Sequence, residues 1–214
     1  MSLRERSAPS LFGQLLRSPR ERIAFTALVF GIFGLSLVGS AVVVHGRALA
    51  SQLLLRVAWQ RTLAAGESVA PWPDSDLEVR ARLRIPRLGV DQVVLGAATG
   101  QSLAHGPGEL RVETAAPRGV VRLLAGHRDT HFSFVDDLLP ADRILLENPD
   151  GTTQIYHVAR KEVRNRGEIA IVDDPLSPLL YMVTCWPRDA LGTPSDERLV
   201  VTASAPLSLA RWAR

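Results

Sequence analysis

Between Ile23 and Val44 the chain carries no charged side chain over 22 consecutive residues. A helix needs about 20 apolar residues to cross a hydrocarbon core. The run has no polar face, which disfavours a buried helix of a soluble fold. It also exceeds the roughly 7 to 15 residues of a cleavable signal peptide's apolar core. It therefore reads as an uncleaved signal anchor. Cleavage after Arg47-Ala48-Leu49-Ala50 is the rival, but that site lies far from the core of the run.

Arg4, Arg6, Arg17, Arg20 and Arg22 precede the run, against Glu5 and Glu21; His45, Arg47, Arg56 and Arg61 follow it. Denser positive charge on the N-terminal side places that side in the cytoplasm. The expectation is a single-pass protein of the cytoplasmic (inner) membrane with its bulk outside, in the periplasm. Residues 1–22 form a cytoplasmic segment, 23–44 the anchor, 45–76 a juxtamembrane helix and linker, and 77–214 a globular domain. Gly46–Ala65 has helical spacing at Leu49, Leu53, Val57 and Leu63, and Pro71-Trp72-Pro73-Asp74-Ser75-Asp76 is a stiff, turn-rich linker.

A chain of 214 residues has room for one domain plus such extras. Lys161 is the only lysine, and the net charge of +3 comes with no basic run interleaved with aromatics. Nothing here marks a nucleic-acid binder.

Beyond the linker the pattern changes to short strands. Leu77, Val79, Ala81, Leu83 and Ile85 alternate with Glu78, Arg80, Arg82 and Arg84, the period of a half-buried strand. Gln92–Leu95, Val120–Ala125, Arg143–Glu147, Thr153–Arg160, Tyr181–Cys185 and Arg198–Ala203 are further strands. Asn148-Pro149-Asp150-Gly151 is a hairpin turn, and Ser102–His105 a short helical turn. Close-spaced strands with few helices imply a mainly β barrel.

Three of these strands end or begin on reactive side chains. Cys185, the only cysteine, closes an apolar run before Trp186-Pro187; His127 follows Gly126 at another strand end; Arg198 opens the last strand. A lone cysteine cannot form an intramolecular disulfide, so outside the cytoplasm its thiol stays free to react. Each residue alone has a plain structural explanation: a small buried hydrophobe, a structural histidine, a surface arginine. Together they supply a nucleophile, a proton shuttle and a cation for a developing oxyanion.

Three other functions compete. His127, Asp129 and His131 could ligate a metal in a hydrolase, although no further Cys/His/Asp cluster supplies ligands. A peptidoglycan cross-linking transpeptidase would place histidine and cysteine within one short Ser-His-Gly-x-Cys-like string, whereas here 58 positions separate them. A membrane-tethered β-barrel binding module would carry the thiol incidentally. His105, His157 and Tyr156 have no motif support and read as structural.

The segments carrying the three residues resemble those of sortases, the membrane-anchored cysteine transpeptidases. Leu180-Tyr181-Met182-Val183-Thr184-Cys185 is similar to the Leu-x-Thr-Cys motif with one more apolar residue. His127 after glycine and Arg198 before Leu199-Val200-Val201 match the family's histidine and arginine. The strings Gly126-His127-Arg128-Asp129-Thr130-His131-Phe132 and Thr184-Cys185-Trp186-Pro187 look most like sortases of marine and related proteobacteria. Likeness extends from about Ala58 to Ala203. Arg188 stands where an aromatic is common in that subgroup, and Ala116-Pro117-Arg118-Gly119 is irregular.

The resemblance implies a closed eight-stranded β-barrel with short helices. It implies His127, Cys185 and Arg198 as catalytic residues, no cofactor and no metal. It also implies two protein-level partners: a substrate carrying a C-terminal sorting signal, and an amine acceptor.

Overall fold

The structure is a computed structural model that describes residues 19–110, 112, 121–171, 177–187 and 195–205, the side chains of 41–49 apart. Arg4, Arg6, Arg17, the 116–119 segment and Arg188 lie outside the described residues. The chain divides into two compact units, Met1–Ala50 and Ser51–Arg214.

One helix, α1 (Pro19–Ala65), runs from the first unit into the second. In the first unit Pro19–Ser40 is long and apolar enough to cross a membrane, and none of it is buried by protein. Phe30 and Leu35 expose 69% and 74% of their surface, the reverse of a soluble core helix.

In the second unit, eight strands close a barrel in the order β1-β2-β3-β4-β7-β8-β6-β5. They are β1 (Val79–Ile85), β2 (Val90–Leu95), β3 (Gly108–Leu110), β4 (Val121–Ala125), β5 (Arg143–Glu147), β6 (Thr153–Asn165), β7 (Leu179–Cys185) and β8 (Glu197–Ser204). A four-residue helix, α2 (Gly100–Leu103), precedes β3; Thr99 and Ser102 cap it reciprocally. Pairing is antiparallel except between β2 and β3 and between β4 and β7. Closure removes exposed sheet edges.

The alternation in β1 puts Ala81, Leu83 and Ile85 into the main core with Leu124, Ile144, Leu146, Leu180, Met182 and Val201. The strand β7 is apolar throughout because both its faces are covered. Leu180 and Met182 point into the barrel, while Leu179 and Tyr181 join Val200, Val121, Leu123, Val183, Ile169 and Ile171 in a cluster outside it. By the same period of two, Thr184 belongs to the inner face and Cys185 to the outer.

The second unit also takes in the end of α1. Leu55, Ala58 and Trp59 pack with Val79, Val93 and Leu95, and Trp72 of the Pro-rich segment joins them. Thr62 Oγ1 accepts a 3.0 Å hydrogen bond from the Val69 amide, fixing the turn after the helix.

Two elements differ from the sequence pattern. The strand β3 is absent from it because Gly106-Pro107-Gly108 reads as a turn. A Cβ at Gly108 would lie 2.1 Å from the Ala97 carbonyl oxygen, so the first position of this short strand tolerates only glycine. The strand β6 runs past Arg160 to Asn165, since the charged tail is held by its ladder with β8 rather than by burial.

Candidate active site

The β4–β7 ladder pairs Val121 with Leu179, Leu123 with Tyr181 and Ala125 with Val183. Beyond it the Gly126 amide donates to the Val183 carbonyl at 3.3 Å. Thr184, 4% exposed, donates its hydroxyl to the Gly126 carbonyl at 2.8 Å. The rungs end there, with His127 one residue past Gly126 and Cys185 one past Thr184; their separation of 58 equals the offset between the ladder's paired residues.

On the other side of β7, Cys185 pairs with Arg198 of β8. The Trp186 amide donates to the Glu197 carbonyl at 3.0 Å, so the neighbouring pair is the hydrogen-bonded one. Cys185 and Arg198 form the non-hydrogen-bonded pair, in which facing side chains come closest. The strands β4, β7 and β8 are neighbours in the barrel; Cys185 and Arg198 are paired at the ends of β7 and β8, and His127 lies two residues beyond the end of β4.

His127 is exposed and Cys185 half-buried. The Arg198 guanidinium donates through Nη1 to the carbonyls of Ser195 and Glu197, both at 2.7 Å. No carboxylate pairs with it among the described residues. A small cleft beside Cys185 is lined by Arg128, Phe132, Ser133, Asp136, Trp186 and Leu199.

Local sequence explains the shape of the turn carrying His127. The His127 carbonyl accepts from the Thr130 amide at 3.4 Å and the Phe132 amide at 2.9 Å, closing residues 127–132 into a compact loop. The Phe132 ring, buried in the core, then lies over Gly126. A Cβ there would approach Phe132 Cγ to 2.6 Å, so a side chain at 126 would push the loop away.

Asp129 accepts from Arg128 Nε at 3.1 Å. His131 is half-buried and hydrogen-bonds the Ala104 carbonyl. Burial drives its pKa below the ordinary histidine value, that hydrogen bond opposes the shift, and nearby His127 and His105 reinforce it. Among the described residues, no group of three or more His, Cys, Asp or Glu side chains could hold a metal ion. His127, Asp129 and His131 are therefore not brought together as a ligand set. His105 stacks edge-on against Trp72 at 5.2 Å, and its carbonyl accepts from Gln52 Nε2 at 2.5 Å. Tyr156 is buried in the core and His157 is exposed on β6.

The sequence reading gave Arg128 and Thr184 no role of their own. Both sit within the strings flanking His127 and Cys185, and both link the segment that follows β4 to the neighbouring strand β7 or the residues just after it.

Solved structures share the fold. The structure is similar to sortase C-1 from Actinomyces oris, with 23% identity and a TM-score of 0.51 over 60% of this chain and 72% of that one. It is similar to a lid mutant of sortase A from Corynebacterium diphtheriae, with 20% identity and a TM-score of 0.54 over 75% of this chain and 96% of that one. A Clostridium perfringens sortase D5 transpeptidase aligns with 20% identity and a TM-score of 0.50, over 59% of this chain and 78% of that one. At these identities the likeness establishes the barrel. No curated protein matches the sequence. A model of the sortase domain matches residues 83–205, more than half of the chain, from within β1 to the end of β8. The chain belongs to the sortase family.

Proposed function

We propose that the protein is a membrane-anchored cysteine transpeptidase in which Cys185 is the nucleophile, His127 the proton shuttle and Arg198 the oxyanion partner. The observation that supports this is the pairing of Cys185 with Arg198 at the ends of β7 and β8, beside β4, whose end leads into His127. Family membership supports the reaction class, since sortases are transpeptidases.

The Cys185 thiolate attacks a backbone carbonyl in a sorting signal near the C-terminus of a substrate protein. The carbonyl becomes a tetrahedral oxyanion, opposite which the Arg198 guanidinium presents its donors. Collapse breaks the C–N bond, and His127 gives its proton to the departing amine. A thioester remains on Cys185. The acceptor amine attacks it, loses a proton to His127 and forms the new amide, releasing the thiolate.

Pro19–Ser40 would hold the protein in the cytoplasmic membrane, with the barrel on the periplasmic side. The strings around His127 and Cys185 favour the proteobacterial subgroup.

The test is trapping of the acyl-enzyme. Incubation with a peptide library should add the mass of an N-terminal peptide fragment to Cys185, and an added amine should remove it. Undiminished turnover by Cys185→Ala would overturn the proposal.

A further inference from the structure

The β4–β7 ladder stops at Ala125 and Val183, before the two reacting residues. Past that point a long side chain bridges the two loops. Arg128, directly after His127, donates through Nη1 to the carbonyl of Pro187, two residues after Cys185. Its Nε donates to Asp129 Oδ1 at 3.1 Å, which orients the guanidinium plane. Only 18% of the side chain is exposed, and it lines the cleft beside Cys185.

Resting on the catalytic pairing of His127 with Cys185 proposed above, we infer that Arg128 is a positioning residue that sets the spacing between them. A strand ladder fixes backbone spacing only where it has rungs. His127 lies in a loop, exposed, with its own carbonyl tied to Thr130 and Phe132. That loop is held to the β7 side by the Thr184–Gly126 bond on one flank of His127 and by the Arg128–Pro187 bond on the other. With both in place His127 is anchored before and after, so the imidazole stays at the level of the sulfur. Proton transfer needs hydrogen-bond reach, and a displacement of about 1 Å can lower a rate about 10²-fold.

A planar guanidinium can serve Asp129 and Pro187 together; an ammonium on a longer, more flexible stem does this poorly. Arg128→Lys keeps the charge beside the cleft and removes the fork, which separates positioning from simple electrostatics. Arg128→Gln removes the charge as well.

The experiment compares both variants with the wild-type chain by hydrogen exchange and by kinetics. Amide exchange at Thr130 and Phe132 reads the His127 turn directly and does not depend on turnover. Both variants should exchange at least about tenfold faster at these two amides, with Val200 and Val201 of β8 unchanged. Peptide turnover should then fall about tenfold or more in kcat, with KM within about threefold. Unchanged exchange at Thr130 and Phe132 would overturn the inference, as would full kcat in Arg128→Gln. A wild-type chain that turns over no peptide would remove the catalytic reading, and the exchange result alone would then decide whether Arg128 holds the turn.

Discussion

Cys185 and Arg198 face each other across β7 and β8 as a non-hydrogen-bonded pair on the outer face of the barrel. That face also carries Val183 and Tyr181 on β7 and Val200 on β8. The thiol therefore sits at the end of an apolar strip rather than inside the core. On the next strand the Arg198 guanidinium donates to the carbonyls of Ser195 and Glu197.

This pairing makes Arg198→Lys a specific probe. Lysine keeps the charge but loses the planar fork. We expect kcat to drop about 10²-fold, the scale of losing an oxyanion donor, with the unfolding midpoint nearly unchanged. Steady-state kinetics beside thermal unfolding would check it. Activity equal to wild type would remove Arg198 from the reaction.

Replacement of His127 or Cys185 should act on different steps. Cys185→Ala should give no acyl-enzyme, because the chain has one cysteine. His127→Ala should stop turnover because the amine leaves poorly without a proton. Mass spectrometry of the quenched reaction reads both.

Thr184 and Gly126 should be sensitive through stability. Thr184→Val leaves the buried Gly126 carbonyl without its 2.8 Å donor, for about 1–3 kcal/mol. Gly126→Ala forces Phe132 aside, again for about 1–3 kcal/mol. Denaturant titration measures both, and a loss near zero in each would mean that the loop is not packed as described.

His131 predicts a pH response. Its pKa is lowered in the fold, first by burial, so the folded chain binds fewer protons here than the unfolded chain. Stability then rises with pH through this titration. The contribution is intact above the ordinary histidine value of 6.5 and is lost as pH falls through the lower folded value. The unfolding midpoint of wild type should drop more steeply on acidification than that of His131→Gln. Parallel curves would refute it. Turnover should fall only partly in His131→Ala and should be indifferent to chelators; complete loss with chelator, restored by zinc, would revive a metal role for this residue.

Topology can be read with reporters fused to the C-terminus. A reporter active only outside the cytoplasm should work, and one active only inside should fail. The opposite result would reverse the orientation assigned to Pro19–Ser40.

Much of this was legible without coordinates, for physical reasons. A charge-free stretch as long as Ile23–Val44 announces itself by composition. The strands β1, β5 and β7 announce themselves by alternation or by an apolar run, since burial on one or both faces writes itself into the residue order. The three candidate residues stood out as strand-end positions within recognisable strings. The strand β3 was not, because Gly106-Pro107-Gly108 has no side-chain pattern and its place is dictated by the close approach of Ala97. Nor was the tail of β6, whose charged residues are ordered by rungs to β8. Which strands become neighbours is a property of closure: β7 lies between β4 and β8 although long stretches of chain separate them. Local sequence supplied a histidine, a thiol and an arginine at three strand ends. Only the barrel's long-range pairing set those ends side by side and assigned Thr184 and Arg128 to the links between them, because hydrogen bonds between distant segments leave no periodic signature in the sequence.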